Sequence, residues 1–263
     1  MKKVFLFLSA ISLVAISSCG DDESPVTPPV DTTDDVLVKR VTTQQEDPDG
    51  FNYTIDYTYN GNKLVQGVYT DGSLEKYYYT GDLITKIEYY NDGVLDFQDV
   101  FAYNAQGKLT EYRFQWMSDN TEEKSLYVYN SDNTVTETQL SGPINGTGTT
   151  GSQSILSFEN GELSQIVNAS GSTYTYSYDA KNSPFKNVTG YAEIAHAFVG
   201  DYQTHGRSKN ILSIVNETFG QNYTTNSIQY NADNYPTVVS STAIFFSENP
   251  NFVEELTTTY LYQ

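Results

Sequence analysis

The chain has 263 residues, with 33 Asp+Glu against 14 Lys+Arg and a net charge of −19. Such an excess of acid repels phosphate and excludes nucleic-acid binding through a basic patch, and a single Cys excludes an internal disulfide and a thiolate zinc site. Aromatic residues reach 14%, with 23 Tyr, which sets the chain apart from disordered segments.

In chain order the first element is a leader. Lys2 and Lys3 precede an apolar run at 4–16. That run is shorter than the roughly 20 residues a helix needs to cross a bilayer, and it has the make-up of a secretory signal. It ends in Ile16-Ser17-Ser18-Cys19, which resembles a bacterial lipobox. The resemblance implies cleavage before Cys19 and acylation of that residue; stable anchoring takes two or more lipid chains. The following Asp21-Asp22-Glu23 resembles the surface-export signal of Bacteroidota lipoproteins, and Asp31-Thr32-Thr33 resembles an O-glycosylation motif of the same phylum, with Thr32 as acceptor. The expected organisation is a lipoprotein signal peptide at 1–18, an acidic, Pro-rich tether at 19–35 and one β-sheet domain at 36–263. The expected location is the outer membrane, lipid-anchored and exposed at the cell surface.

From residue 36 the period is two. Tyr53, Ile55, Tyr57 and Tyr59 alternate with Asn52, Thr54, Asp56 and Thr58, and Tyr112, Phe114 and Trp116 share one parity, as do Tyr174, Tyr176 and Tyr178. Alternation puts one face on a core and the other in water. Asn60-Gly61, Asp71-Gly72, Asp92-Gly93, Gln106-Gly107 and Asn160-Gly161 punctuate the runs as hairpin turns. Residues 141–152 read as a polar loop. Tyr191, Ile194, Ala195 and Phe198 fall at helical spacing and predict one short helix near 190–199, plugging one end of a curved sheet or covering an edge. The fold expected is all-β: a curved antiparallel meander, open or half-barrel.

A unit recurs along the chain: aromatic–x–aromatic, then Asn or Asp, then a turn and a strand. Its second aromatic stands at 59, 79, 103, 129, 158, 178 and 230. These units resemble YD (RHS-type) repeats, and the block from Asp179 through Lys181, Asn182, Pro184, Phe185, Lys186 and Asn187, then Ser208-Lys209-Asn210, is similar to a segment of uncharacterised Bacteroidota surface lipoproteins. Ser183 and Ile211 depart from that pattern. The resemblance implies a hairpin fold and carries no activity with it; one domain is too short to form the toxin-enclosing shell of true RHS proteins.

Little in the chain signals chemistry. His196 and His205 lack metal-ligand spacing. Glu122-Glu123 and Glu254-Glu255 are adjacent, so in strands the members of each pair point to opposite faces. No calcium loop, P-loop or nucleophile elbow is present. The chain is expected to be non-enzymatic, without cofactor or metal. Tyr offers an apolar body and a polar tip, suited to a core with a wet face or to a binding surface, and Trp116 and Tyr112 are the candidate ligand contacts. The function expected is a cell-surface binding or scaffolding module for a glycan or protein, attached to the membrane by its anchor. The alternative is a carrier of an apolar ligand in a half-barrel cavity; a glycan-active enzyme stands third. Where the Tyr ladders point discriminates between the first two.

Overall fold

The computed structural model describes residues 35–45, 50, 52–198, 204–245 and 252–263. In chain order the strands are β1 Val38–Gln45, β2 Asn52–Asn60, β3 Lys63–Tyr69, β4 Leu74–Thr80, β5 Leu83–Asn91, β6 Val94–Tyr103, β7 Leu109–Trp116 and β8 Thr121–Tyr129. There follow β9 Val135–Pro143, β10 Thr149–Glu159, β11 Glu162–Asn168, β12 Thr173–Tyr178, β13 Ile211–Asn216, β14 Gln221–Tyr230, β15 Pro236–Phe245 and β16 Phe252–Tyr262. Each strand pairs antiparallel with its neighbours in sequence, and β1 also pairs with β16, from Val38↔Tyr262 to Gln45↔Leu256. The sheet is therefore a closed barrel.

Closure overturns the expected open or half-barrel sheet. Alternation defines the two faces of a strand but says nothing about where a sheet ends. Here the would-be edges, β1 and β16, satisfy each other's backbone groups, which removes the unpaired rows that an open sheet exposes. The expected loop at 141–152 is also shorter than read: β9 and β10 pair through Ser141↔Thr149 and Leu140↔Thr150, around the intervening turn and a register shift between Thr150 and Gln153. The hairpin turns stand where expected, with Gly61, Gly72, Gly93, Gly107 and Gly161 all at positive φ.

The recurrent aromatic unit builds one rim of the barrel. The hydroxyl of its second Tyr crosses to the preceding strand and donates to a backbone carbonyl there: Tyr59 to Val38 (2.7 Å), Tyr103 to Ile84 (2.5 Å), Tyr129 to Leu109 (2.9 Å) and Tyr178 to Leu163 (2.8 Å). Tyr262 does the same to Pro236 at 2.7 Å, closing the ring. At the same level the ladder slips by one residue, as between Thr58 and Tyr59, Tyr78 and Tyr79, and Ala102 and Tyr103. The bulged residue on the partner strand turns its hydroxyl back to the ladder, as Thr85 does to the Tyr78 carbonyl and Thr110 to the Ala102 carbonyl. The Asn after the Tyr caps the turn: Asn104 Oδ1 accepts from the backbone N–H of Gln106 and Lys108.

Inward positions carry the apolar set. Ile84, Ile87, Phe101, Leu109, Tyr127, Leu156 and Tyr176 are buried together from both sides of the barrel. Outward positions are mainly polar, with Val65, Val128, Ile155, Val253 and Leu261 as exposed apolar exceptions. Arg40 pairs with Asp56 at 2.7 Å, Lys86 with Glu88 at 2.5 Å and Lys124 with Glu122 at 3.3 Å. Gln98, Gln115 and Glu122 form a hydrogen-bonded row across β6, β7 and β8. A membrane-spanning barrel needs an apolar outer band about 25 Å tall with aromatic girdles. This wall has ion pairs and amides in its place, so it faces water.

Candidate functional site

Residues 179–198 and 204–210, between β12 and β13, fold back into the barrel as a plug. Its centre is α1, Tyr191–Ile194, continued by a 3-10 turn over Ala195–Phe198, where the sequence predicts the short helix. Ile194 and Ala195 are buried, and Phe185 and Val188 pack with Leu37, Val38 and Leu64. The plug is tied down at both ends. Asp179 accepts from the Asn210 backbone N–H (3.1 Å) and side chain (2.9 Å) and from the Tyr230 hydroxyl. The Glu162 carboxylate, 3% exposed, accepts from the backbone N–H of Arg207 (2.7 Å) and Ser208 (2.8 Å) and from the Ser208 hydroxyl. Gly190 sits at φ +80 with room for no side chain: a Cβ would stand 2.7 Å from the Asp82 carbonyl. The plug closes the rim that bears the tyrosine clasps; the opposite mouth, formed by turns such as Asp71-Gly72, Asp92-Gly93 and Ser118–Asn120, lies away from it.

Below the plug the lumen holds two buried carboxylates on alternate strands. Glu75 on β4 accepts from the hydroxyls of Tyr69 (3.0 Å) and Tyr77 (2.9 Å). Asp99 on β6 accepts from Tyr89 (2.8 Å) and Tyr112 (2.8 Å). Burial pushes Asp99 up, to about 6, against the two hydroxyl donors that pull it down. Burial likewise raises Glu75. Gly67 faces Glu75 across the β3–β4 ladder, and a Cβ there would lie 2.7 Å from the Glu75 carboxylate. Sequence reasoning missed both acids, although parity marks them: Glu75 shares a face with Tyr77 and Tyr79, and Asp99 with Phe97, Phe101 and Tyr103.

Further round the wall lies a cavity of about 490 Å3, lined by the apolar Tyr112, Phe114, Ile166 and plug residue Ala197 and by the polar Ser125, Glu137, Gln139 and Ser154. Glu123, which is exposed, also lines it and connects it to solvent. Phe97 stacks on Tyr89 (centroids 4.4 Å) and meets Phe114 at 5.3 Å, and Trp116 stands edge-on to Phe114 at 4.5 Å. These rings form a continuous aromatic ladder along the inner wall toward the open mouth. A second cavity, of about 380 Å3, lies between the plug and the rim turns, with Arg207, Glu193 and His196 on its surface.

Both candidate contacts thus point inward. Tyr112 donates to Asp99 and stacks on Phe101, with the plug's Phe198 edge-on at 5.8 Å. Trp116 is half-buried at the open end of the ladder, and the two residues share one wall. His196 and His205 do not come together as a catalytic pair: His196 packs edge-on against Tyr127 and Phe158, and His205 meets Tyr191 at 3.0 Å. Burial pushes both imidazoles down to about 4, so they are neutral near pH 7. Among the described residues no group of three His, Cys, Asp or Glu could hold a metal ion. Glu122 and Glu123 face opposite sides of the wall, as adjacent strand residues must. Cys19, Asp21, Asp22, Glu23 and Thr32 lie outside the described residues.

No protein-family model matches the chain, and no curated protein matches it. Among solved structures it is similar to a porin-like protein from Bacteroides vulgatus, at 15% identity and TM-score 0.51, over 87% of this chain and 99% of that one. It is also similar to a porin-like protein from Bacteroides uniformis, at 13% identity and TM-score 0.48, over 86% and 98%. At 15% identity the likeness to the Bacteroides vulgatus protein is one of fold alone, a β-barrel.

Proposed function

We propose that the protein is a non-catalytic binding module that holds an amphipathic small molecule in its lumen. Inward-pointing Tyr ladders in a closed barrel carry this reading, because they leave a solvent-connected cavity of about 490 Å3 between plug and wall, within the range of small-molecule sites. It favours the carrier alternative over a surface binder, whose ladders would face outward. In the same reading Cys19 carries the lipid, Asp21, Asp22 and Glu23 direct export to the cell surface, and the tether holds a water-facing barrel at the outer membrane.

The experiment uses the neutral fluorophore N-phenyl-1-naphthylamine. Its emission should rise and saturate on titration with the protein. Ser154 is buried on the cavity wall, and Ser154→Phe should abolish the rise while the far-ultraviolet circular dichroism is kept. Equal enhancement by both proteins, or none by either, overturns the lumenal reading.

A further inference from the structure

The excess acid of this chain is not spread evenly over the barrel. On the outer wall Arg40, Lys76, Lys86, Arg113 and Lys124 stand among Asp56, Glu88, Glu111 and Glu122, and most are directly paired. The other described cations lie at the plugged rim, where Lys63 pairs with Asp82 (3.0 Å) and Arg207 lies 3.9 Å from Glu193. At inward strand positions and on the open-mouth turns the pattern changes. Glu75, Asp99, Glu123, Glu137 and Glu254 face the lumen, and Asp71, Asp92, Asp119 and Glu217 ring the mouth. No described Lys or Arg occupies those inward strand positions, and Arg113, which reaches the β9–β10 mouth turn through Asn145 (3.2 Å), is paired with Glu111 (2.5 Å). Lys124 touches the cavity lining, but its ammonium pairs with Glu122, 3.3 Å away on the outer face.

Elsewhere round the lumen, on β16 and outside the lining of that cavity, one acid lacks a full set of partners. Glu254 Oε1 accepts from Gln45 at 2.8 Å, whereas Oε2 is buried with no hydrogen-bond partner. A lumen of one sign, walled by low-dielectric protein, focuses its field along the axis and concentrates the opposite charge. The aromatic ladder from Tyr89 through Phe97 and Phe114 to Trp116 lines the same route, and ring faces attract cations.

Resting on the lumenal reading above, we infer that the ligand is an organic cation, an amine with an apolar body, which enters by the acidic mouth. Its apolar part lies against Tyr112, Phe114 and Ile166, and its ammonium faces Glu123 and Glu137. Ser125, Gln139 and Ser154 offer neutral donors, but the one cation in the lining, Lys124, pairs with Glu122, so a carboxylate or phosphate ligand would face Glu123 and Glu137 without a free cationic partner.

The test is a matched series measured by isothermal titration calorimetry: tryptamine, its neutral analogue tryptophol, and the anion indole-3-acetate. Tryptamine should bind about tenfold or more tighter than tryptophol, and indole-3-acetate should give no heat above dilution. Raising NaCl should weaken tryptamine and leave tryptophol unchanged. The double variant Glu123→Gln/Glu137→Gln should erase the preference for tryptamine while still binding tryptophol. Glu255→Gln removes a charge from the outer face of β16 and should keep the preference. Equal affinities for tryptamine and tryptophol overturn the cation inference alone, as does a preference that survives the double variant. Failure of all three compounds, together with failure of N-phenyl-1-naphthylamine, overturns the lumenal reading beneath it.

Discussion

Replacing Tyr59 tests what the recurrent aromatic unit does. Its ring lies inside the barrel beside Val38, Leu64 and Tyr262, and its hydroxyl donates to the Val38 carbonyl at 2.7 Å across the β1–β2 pair. Tyr59→Phe removes one hydrogen bond and leaves a buried carbonyl with less to accept from, which costs about 1 kcal/mol. Tyr59→Ala removes the ring as well and leaves a cavity, at roughly 3–5 kcal/mol. The neighbour Thr58 points to solvent, and Thr58→Ala should cost less than about 0.5 kcal/mol. For a domain of this size each kcal/mol moves the melting temperature by about 2–4 °C. The three variants should therefore melt in the order Thr58→Ala, Tyr59→Phe, Tyr59→Ala, the last lower than the parent by on the order of 10 °C. Differential scanning calorimetry resolves such steps. Equal, small shifts for all three would refute the clasp and the inward ladder together.

The Asp99 carboxyl, raised by burial to about 6, stabilises the fold fully below pH 4 and loses that contribution as pH rises through 6. Asp99→Asn should accordingly gain on the parent by roughly 3 kcal/mol between pH 4 and pH 7.5 in urea denaturation; the buried imidazoles of His196 and His205 cancel in the comparison, and a pH-independent difference would refute the assignment. Gly190→Ala forces a side chain into positive φ and against the Asp82 carbonyl, and should destabilise by at least about 1–3 kcal/mol; a neutral melt would mean that the plug does not seat on the β4–β5 turn. Cys19→Ala should release the protein from membranes, and unchanged partitioning into the detergent phase would remove the lipid anchor from the proposal.

Much of the wall is legible in the chain, because a strand with one wet face must alternate. The parity of Tyr53 to Tyr59 and of Tyr112 to Trp116 identifies inward faces, and the Gly residues after Asn or Asp mark turns that only positive φ can make. The short helix is legible from Tyr191, Ile194 and Phe198. Closure is not, since it depends on the pairing of β1 with β16, elements more than two hundred residues apart, and local pattern carries no such term. The extent of the 141–152 turn is hidden because Gly and Thr serve strands and loops alike. Glu75 and Asp99 fall between these cases. Their parity is plain, but acids on an apolar face read as solvated until the facing hydroxyls of Tyr69, Tyr77, Tyr89 and Tyr112 are seen to receive them.

The distribution of polarity separates this barrel from a membrane pore of similar architecture. A wall of sixteen strands encloses more space than ordinary apolar side chains fill, and pores of that width keep water inside. Here the outer face is the wet one, so the inner face must supply the core. Two features make that feasible. Tyrosine reaches further than leucine and ends in a hydroxyl that satisfies rim carbonyls and inner carboxylates, and the plug supplies apolar mass from Phe185, Val188 and Ile194 at one end. What these leave unfilled is the acid-lined cavity toward the open mouth. A barrel with Arg40–Asp56 and Lys124–Glu122 pairs on its outside is ill suited to hydrocarbon, so the membrane attachment in the proposal would fall to the acylated Cys19 and not to the barrel wall.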